Sequence, residues 1–290
     1  MIRLAVFCAL LVAAAVTPAV DATPITLRAA FYYPWYPEHW AEGSHYVSGM
    51  GQYNSQSPSV VSGHISQMQI GKIDAGISSW WGPGDDTDLA VPVMLNAALG
   101  TTFKWALYYE LDWNGQRSQN EVKQDLAYIK SRYASDSSYL RVNGKPVVFV
   151  YTPGGSCATA NKWKNANQSQ GFYLSMTDVP NWWANCQTAV DSWHAYKPAL
   201  RGAPVNVGST LYAVSLSAGF WQSAEAAPRL SRDFAEFTAY LQAYNAYAFP
   251  WQLFYFNEFV EGTVIEASNA RCLEWLCLDY MNVLGANPAP

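Results

Sequence analysis

The sequence predicts an α/β protein folded as a single (β/α)8 TIM barrel, and three observations lead there. First, eight short apolar, aromatic-rich runs recur along the chain: "ITLRAAFYY", "DAGISSWW", "FKWALYYE", "PVVFVY", "GFYLSMT", "AVDSWHAY", "TLYAVSLS" and "QLFYFNE". Second, helical patterns fall between them, at Ser57 to Gly71, Asp88 to Leu99, Ser118 to Tyr133 and Ser231 to Tyr247. Strands alternating with helices imply a parallel sheet. Third, about 268 residues follow the leader described below, which suits one barrel of eight units.

The runs read as strands because they are rich in Tyr, Trp, Phe and Val and stop at polar or turn residues. Pro58 near its start marks the first helix, and Ser118 with Glu121 three residues on marks the third as a capping box. An open doubly wound sheet would want a glycine-rich phosphate turn after an early strand; none is present. The loose segments are Gly43 to Pro58 and the Asn-Pro-Ala-Pro tail.

Met1-Ile2-Arg3 followed by "LAVFCALLVAAAV" reads as a signal peptide with cleavage after Ala22, so residues 1–22 are the leader and 23–290 one catalytic domain. No later segment offers the roughly 18 apolar residues a membrane helix needs. The mature protein is expected to be secreted, without a membrane partner. Losing Arg3 and Asp21 leaves the net charge at −5, which argues against nucleic acid. Cys8 leaves with the leader. Cys157, Cys186, Cys272 and Cys277 then permit three pairings, of which proximity favours Cys157 with Cys186 and Cys272 with Cys277. Thiols and histidines are not clustered at metal-ligand spacing, so neither metal nor cofactor is expected.

In such a barrel the chemistry sits where strands end. The strand ends here carry Tyr33, Trp35 and Tyr36, Trp80 and Trp81, Tyr108 to Glu110, Tyr151, His194 with Tyr196, and Asn257 with Glu258. The segment "FYFNEFVEGTVIEAS" then sets Glu258, Glu261 and Glu266 into an apolar stretch of a chain only 13% charged. Acids three apart share a face on a helix or tight loop, with Cβ atoms roughly 5–6 Å apart. Such a pair divides its protons and can serve as one acid and one base, which glycosidic cleavage requires. The bland alternatives are a helix-start acid for Glu258, a solvated helix face for Glu261 and Glu266, a simple turn for Asp85 and Asp86, and core packing for His64 and most tryptophans. A serine-hydrolase elbow, Gly-x-Ser-x-Gly, is absent.

Five stretches carry a family resemblance: "YYPWY" from Tyr32, "GQYNSQSPSVVSGHISQMQIGKIDAGISSWWG" from Gly51, "YYE" from Tyr108, "VNGKPVVFVY" from Val142 and "FNEFVEGTVIE" from Phe256. Together they resemble glycoside hydrolase family 99 and its bacterial relatives, which include endo-α-mannosidases and endo-α-1,2-mannanases. The resemblance implies a (β/α)8 barrel and a retaining hydrolase acting on an α-linked glycan, by family default an α-mannoside. It casts Glu258 as base toward the sugar's own 2-hydroxyl and Glu261 as acid/base, through a 1,2-anhydro intermediate. Tyr33, Trp35, Tyr36, Trp81, Tyr109, Glu110, Tyr151 and Asn257 are the expected sugar contacts. Where the family typically has Trp-His between the glutamates this chain has Phe259-Val260, and Val264 replaces a polar residue. The rival from another class is a non-catalytic carbohydrate-binding barrel. A monomer is the default for an exported hydrolase of this size.

Overall fold

The computed structural model describes residues 27–202, 212–246, 250–268 and 279–289. The proposed leader and the pair Cys272 and Cys277 lie outside these residues. Eight parallel strands form a ring: β1 (Leu27–Tyr32), β2 (Ala75–Trp80), β3 (Lys104–Tyr109), β5 (Lys145–Val150), β6 (Tyr173–Thr177), β7 (Ser192–His194), β8 (Tyr212–Ser215) and β9 (Trp251–Tyr255). Each pairs with the next, β3 passes directly to β5, and β9 closes on β1 with Leu27 opposite Trp251 and Phe31 opposite Tyr255. All eight anticipated runs supply a strand. The short β4 (Arg141–Val142) joins β5 antiparallel through Asn143 and Gly144, whose φ of 51° and 78° are those of a two-residue hairpin turn.

Alternation along each strand divides the core into two layers. Inside the barrel pack Ala29, Phe31, Ile77, Tyr108, Val147, Phe149, Leu253 and Tyr255. Outside, Tyr32, Trp105, Leu107, Tyr109, Val148, Leu174 and Phe254 meet the helices. One position leaves no room for a side chain: a Cβ on Gly76 would lie 2.1 Å from the Trp105 ring.

The helices are α1 (Pro58–Ile70), α2 (Asp86–Ala98), α3 (Gln119–Arg132), α4 (Cys157–Asn167), α5 (Trp182–Asn185), α6 (Phe234–Asn245) and α7 (Asp279–Ala286). The capping box of α3 forms as expected, with Glu121 N–H donating to Ser118 Oγ and Ser118 N–H to Glu121 Oε2. Asp85, expected in a simple turn, is the N-cap of α2 and accepts from Thr87 N–H. A disulfide joins Cys157 to Cys186, the anticipated pairing, tying the start of α4 to the end of α5.

Candidate active site

Strands β2, β3, β5 and β9 end on one face of the barrel, and Trp81, Glu110, Tyr151 and Glu258 follow those ends directly or within three residues. After β9 the chain takes the second of the two courses that the spacing of its glutamates allows, a tight loop and not a helix. It makes a compact loop over residues 256–268, closed by Ile265 and Glu266 N–H groups that both donate to Phe256 O at 2.9 Å. The loop is held from two sides. Ser44 Oγ donates to Phe259 O at 2.8 Å, while Trp221 and Ser223 N–H donate to Glu261 O and Val260 O, each at 2.8 Å. Arg232 adds bonds to Gly262 O and Val264 O.

Three carboxyls converge there. Glu258 and Glu110 are buried and Glu261 is partly so. Burial is the largest cause raising all three: Glu110 is pushed up to about 8, Glu261 to about 7, and Glu258 well above the carboxylate range. Glu261 and Glu110 raise Glu258 further, and Glu261 also raises Glu110. Arg229 acts the other way on Glu261. The local hydrogen bonds separate the pair. Glu258 Oε1 accepts from Val260 and Glu261 N–H at 3.0 and 3.3 Å, which favours its ionised form. Glu261 Oε2 is buried with no hydrogen-bond partner among the described residues. Glu110 keeps one partner, the Ser79 hydroxyl, which donates to Oε1.

Aromatic rings line the floor. Tyr33 bonds Tyr196 through their hydroxyls at 2.9 Å, and both rings feel the negative charge of Glu261. Tyr151 packs on Tyr196 and Tyr108 at 5.0 and 5.5 Å, and its hydroxyl is raised to about 12 by burial, then by Glu110 and Glu261. His194 beneath them is held neutral, lowered to about 3 by burial. Trp35 and Trp81 wall a cavity of about 240 Å³ beside this floor.

Three expected sugar contacts serve the scaffold instead. Tyr109 is a correction: Tyr108 faces the barrel, so Tyr109 faces the helices, donating to Asp125 Oδ2 at 2.5 Å and meeting Trp163 edge-on. Tyr36 is buried under the glutamate loop, donating to Asn257 O and accepting from Phe259 N–H. Asn257 is fully buried and fastens β9 to β1: Oδ1 accepts from Tyr33 N–H at 2.8 Å, and Nδ2 donates to Tyr33 O and to Tyr53 OH.

Glu266 and His64 are neither a solvated face nor plain packing. Glu266 is buried and accepts from Ser48 Oγ at 2.5 Å and Tyr53 OH at 2.8 Å, with His64 Nε2 3.5 Å away. His64 Nδ1 in turn meets Tyr32 OH at 3.1 Å. Tyr53 thus links Glu266 to Asn257, a role sequence reasoning missed, as it missed Ser79 behind Glu110. Tyr196 carried the one visible signal, its place at a strand end.

The model of Glycosyl hydrolase family 99 matches residues 41–181. The chain is 25% identical over 166 residues to the glycoprotein endo-alpha-1,2-mannosidase of Rattus norvegicus, covering 42% of this chain and 36% of that protein. For the Xenopus laevis protein of the same name the figures are 26% over 138 residues, 44% and 30%. The chain therefore spans well under half of these relatives. In fold it is similar to the GH99 endo-alpha-mannosidase of Bacteroides thetaiotaomicron, with a TM-score of 0.73 at 19% identity, over 90% of this chain and 97% of that one. The matched segment holds Trp81, Glu110 and Tyr151 but ends before Glu258 and Glu261.

Proposed function

Because the chain is glycoside hydrolase family 99-like in sequence and in fold, we propose that it hydrolyses an α-linked glycan, by family default an α-mannoside. The observation that carries this is the convergence of Glu258, Glu261 and Glu110 over an aromatic floor on the strand-end face, where burial raises all three. Such a site keeps carboxyls protonated near neutral pH, which an acid needs.

The two carboxyls titrate as a pair. Burial raises Glu258, but with one proton between them its two backbone N–H bonds favour the ionised form there. Glu261, with an oxygen lacking a donor among the described residues, keeps the proton, so Glu258 suits the base and Glu261 the acid. Glu258 takes the proton of the sugar's 2-hydroxyl as that oxygen bonds to C1, and Glu261 protonates the departing glycosidic oxygen. Water then gives a proton to Glu261 and attacks C1, the C1–O2 bond opens, and Glu258 returns its proton to O2. Two inversions at C1 retain configuration. Glu110 stands ready to hydrogen-bond the sugar, Tyr33 and Tyr151 form the floor, and Trp35 and Trp81 the flank.

The apolar leader and the Cys157–Cys186 bridge both fit an exported protein, and we take the mature chain, residues 23–290, to be one secreted catalytic domain acting as a monomer.

The test is turnover of an α-mannoside panel by Glu258→Gln and Glu261→Gln. Each is expected to lower turnover at least about a hundredfold, the lower end for a positioned acid or base. The wild-type profile should be bell-shaped, its acid limb marking loss of the first proton from the Glu258–Glu261 pair and its alkaline limb loss of the second. Saccharide binding by the wild type without any turnover would return the chain to a carbohydrate-binding barrel.

A further inference from the structure

A single exposed apolar side chain is ordinary. Here the three exposed tryptophans among the described residues all lie at the strand-end face: Trp81 and Trp113 on the loops after β2 and β3, and Trp183 in the short helix α5 after β6. Trp113 is the most exposed, at 52%. It is also firmly mounted. Its N–H donates to Glu110 O and its carbonyl accepts from Gly154 N–H, both at 3.2 Å. Beside it Asp112 is fully buried, 2.8 Å from Lys162 Nζ, and accepts from Trp163 Nε1 and Arg117 N–H. A buried ion pair thus fixes a loop whose outermost ring is an indole in solvent.

The mounting is continuous with the candidate site. The Trp81 and Trp113 loops touch, since a Cβ on Gly82 would lie 3.1 Å from Leu111. Trp81 is itself held by its N–H bond to Thr87 Oγ1 at 2.9 Å. Glu110 therefore has one exposed indole on its own loop and another on the neighbouring loop, and beyond Trp81 lies the cavity shared with Trp35. That cavity is edged by Glu38, Asp85 and Asp86 with His39 and Thr87, and among the described residues no Lys or Arg lines it. An anionic chain would be repelled there. Indole faces suit the C–H faces of pyranose rings, which carry the complementary partial charge.

We propose that the rim from the Trp35–Trp81 cavity to Trp113 binds an uncharged saccharide chain extending beyond the bond to be cleaved, with Trp113 as its outer stacking platform. This rests on the glycosidase reading of the site and adds to it a groove several sugars long.

The test is calorimetric titration of Glu261→Gln, with and without Trp113→Ala, using α-linked manno-oligosaccharides from di- to hexasaccharide. Affinity should rise with length. Trp113→Ala should lower hexasaccharide affinity about tenfold and disaccharide affinity less than about twofold, the pattern for losing one aromatic anchor remote from the first subsite. Trp113→Phe should recover part of the loss, and melting temperatures should match. Absence of length dependence, equal losses at every length, or equally tight binding of an oligogalacturonide would overturn the proposal. The length pattern appearing in a protein whose wild type cleaves nothing would sink the hydrolase and leave the groove standing.

Discussion

Glu110→Gln should make this protein more stable at alkaline pH and leave it nearly unchanged in acid. Glu110 is buried, with the Ser79 hydroxyl as its hydrogen-bond donor, and burial lifts its carboxyl from 4.5 to about 8. The unfolded chain releases that proton near pH 4.5, while the folded chain keeps it to about pH 8. Between those values the folded state binds more protons, so its stability falls as pH rises. Each pH unit costs about 1.4 kcal/mol, and from pH 5 to 8 the loss is on the order of 4 kcal/mol. Glutamine has no proton to lose, and its carbonyl still accepts from Ser79, so the variant escapes the penalty. It also relieves the push that Glu110 exerts on Glu258. The assay is urea unfolding of both proteins at half-unit steps from pH 4.5 to 8.5. The two curves of unfolding free energy should coincide at the acid end and diverge steadily toward the alkaline end. Parallel curves, or a gain confined to low pH, would refute the claim that Glu110 is held neutral by its burial.

Two further expectations test the scaffold. Tyr109→Phe removes the hydroxyl from Asp125, which keeps Arg117 as a partner, and should cost about 1 kcal/mol of stability; kcat/KM should not change, and a large loss of activity would restore Tyr109 to the sugar site. Gly76→Ala sets a methyl into the Trp105 ring and should cost about 3 kcal/mol in chemical denaturation, the upper part of the usual overpacking range; a neutral result would mean that the β2–β3 contact is looser than the structure has it.

The strands were legible because each is a short aromatic run with polar residues at its end, and all eight recur in the ring. The phase within a run was not. In "WALYY" every residue is buried, so no polar residue marks which tyrosine faces the barrel, and the sequence alone does not separate Tyr109 from Tyr108. Helix α4 escaped notice because its sequence, CATANKWKNAN, has few apolar residues to show a period. Glu258 and Glu261 were visible as scarce charges in an apolar setting. Glu266 looked the same in sequence, and what distinguishes it is distant: Tyr53 and Ser48 lie more than two hundred residues away along the chain. No local pattern encodes such a partner.

The bond from Tyr33 N–H to Asn257 crosses 224 residues, and it forms at the seam where the first and last strands meet. A ribosome must therefore release almost the whole chain before that seam can close. Until then Tyr33 and Asn257 stay apart, and Glu258 and Glu261 have no aromatic floor to face. The three carboxyls therefore come together only with the last strand, when β9 closes the ring on β1.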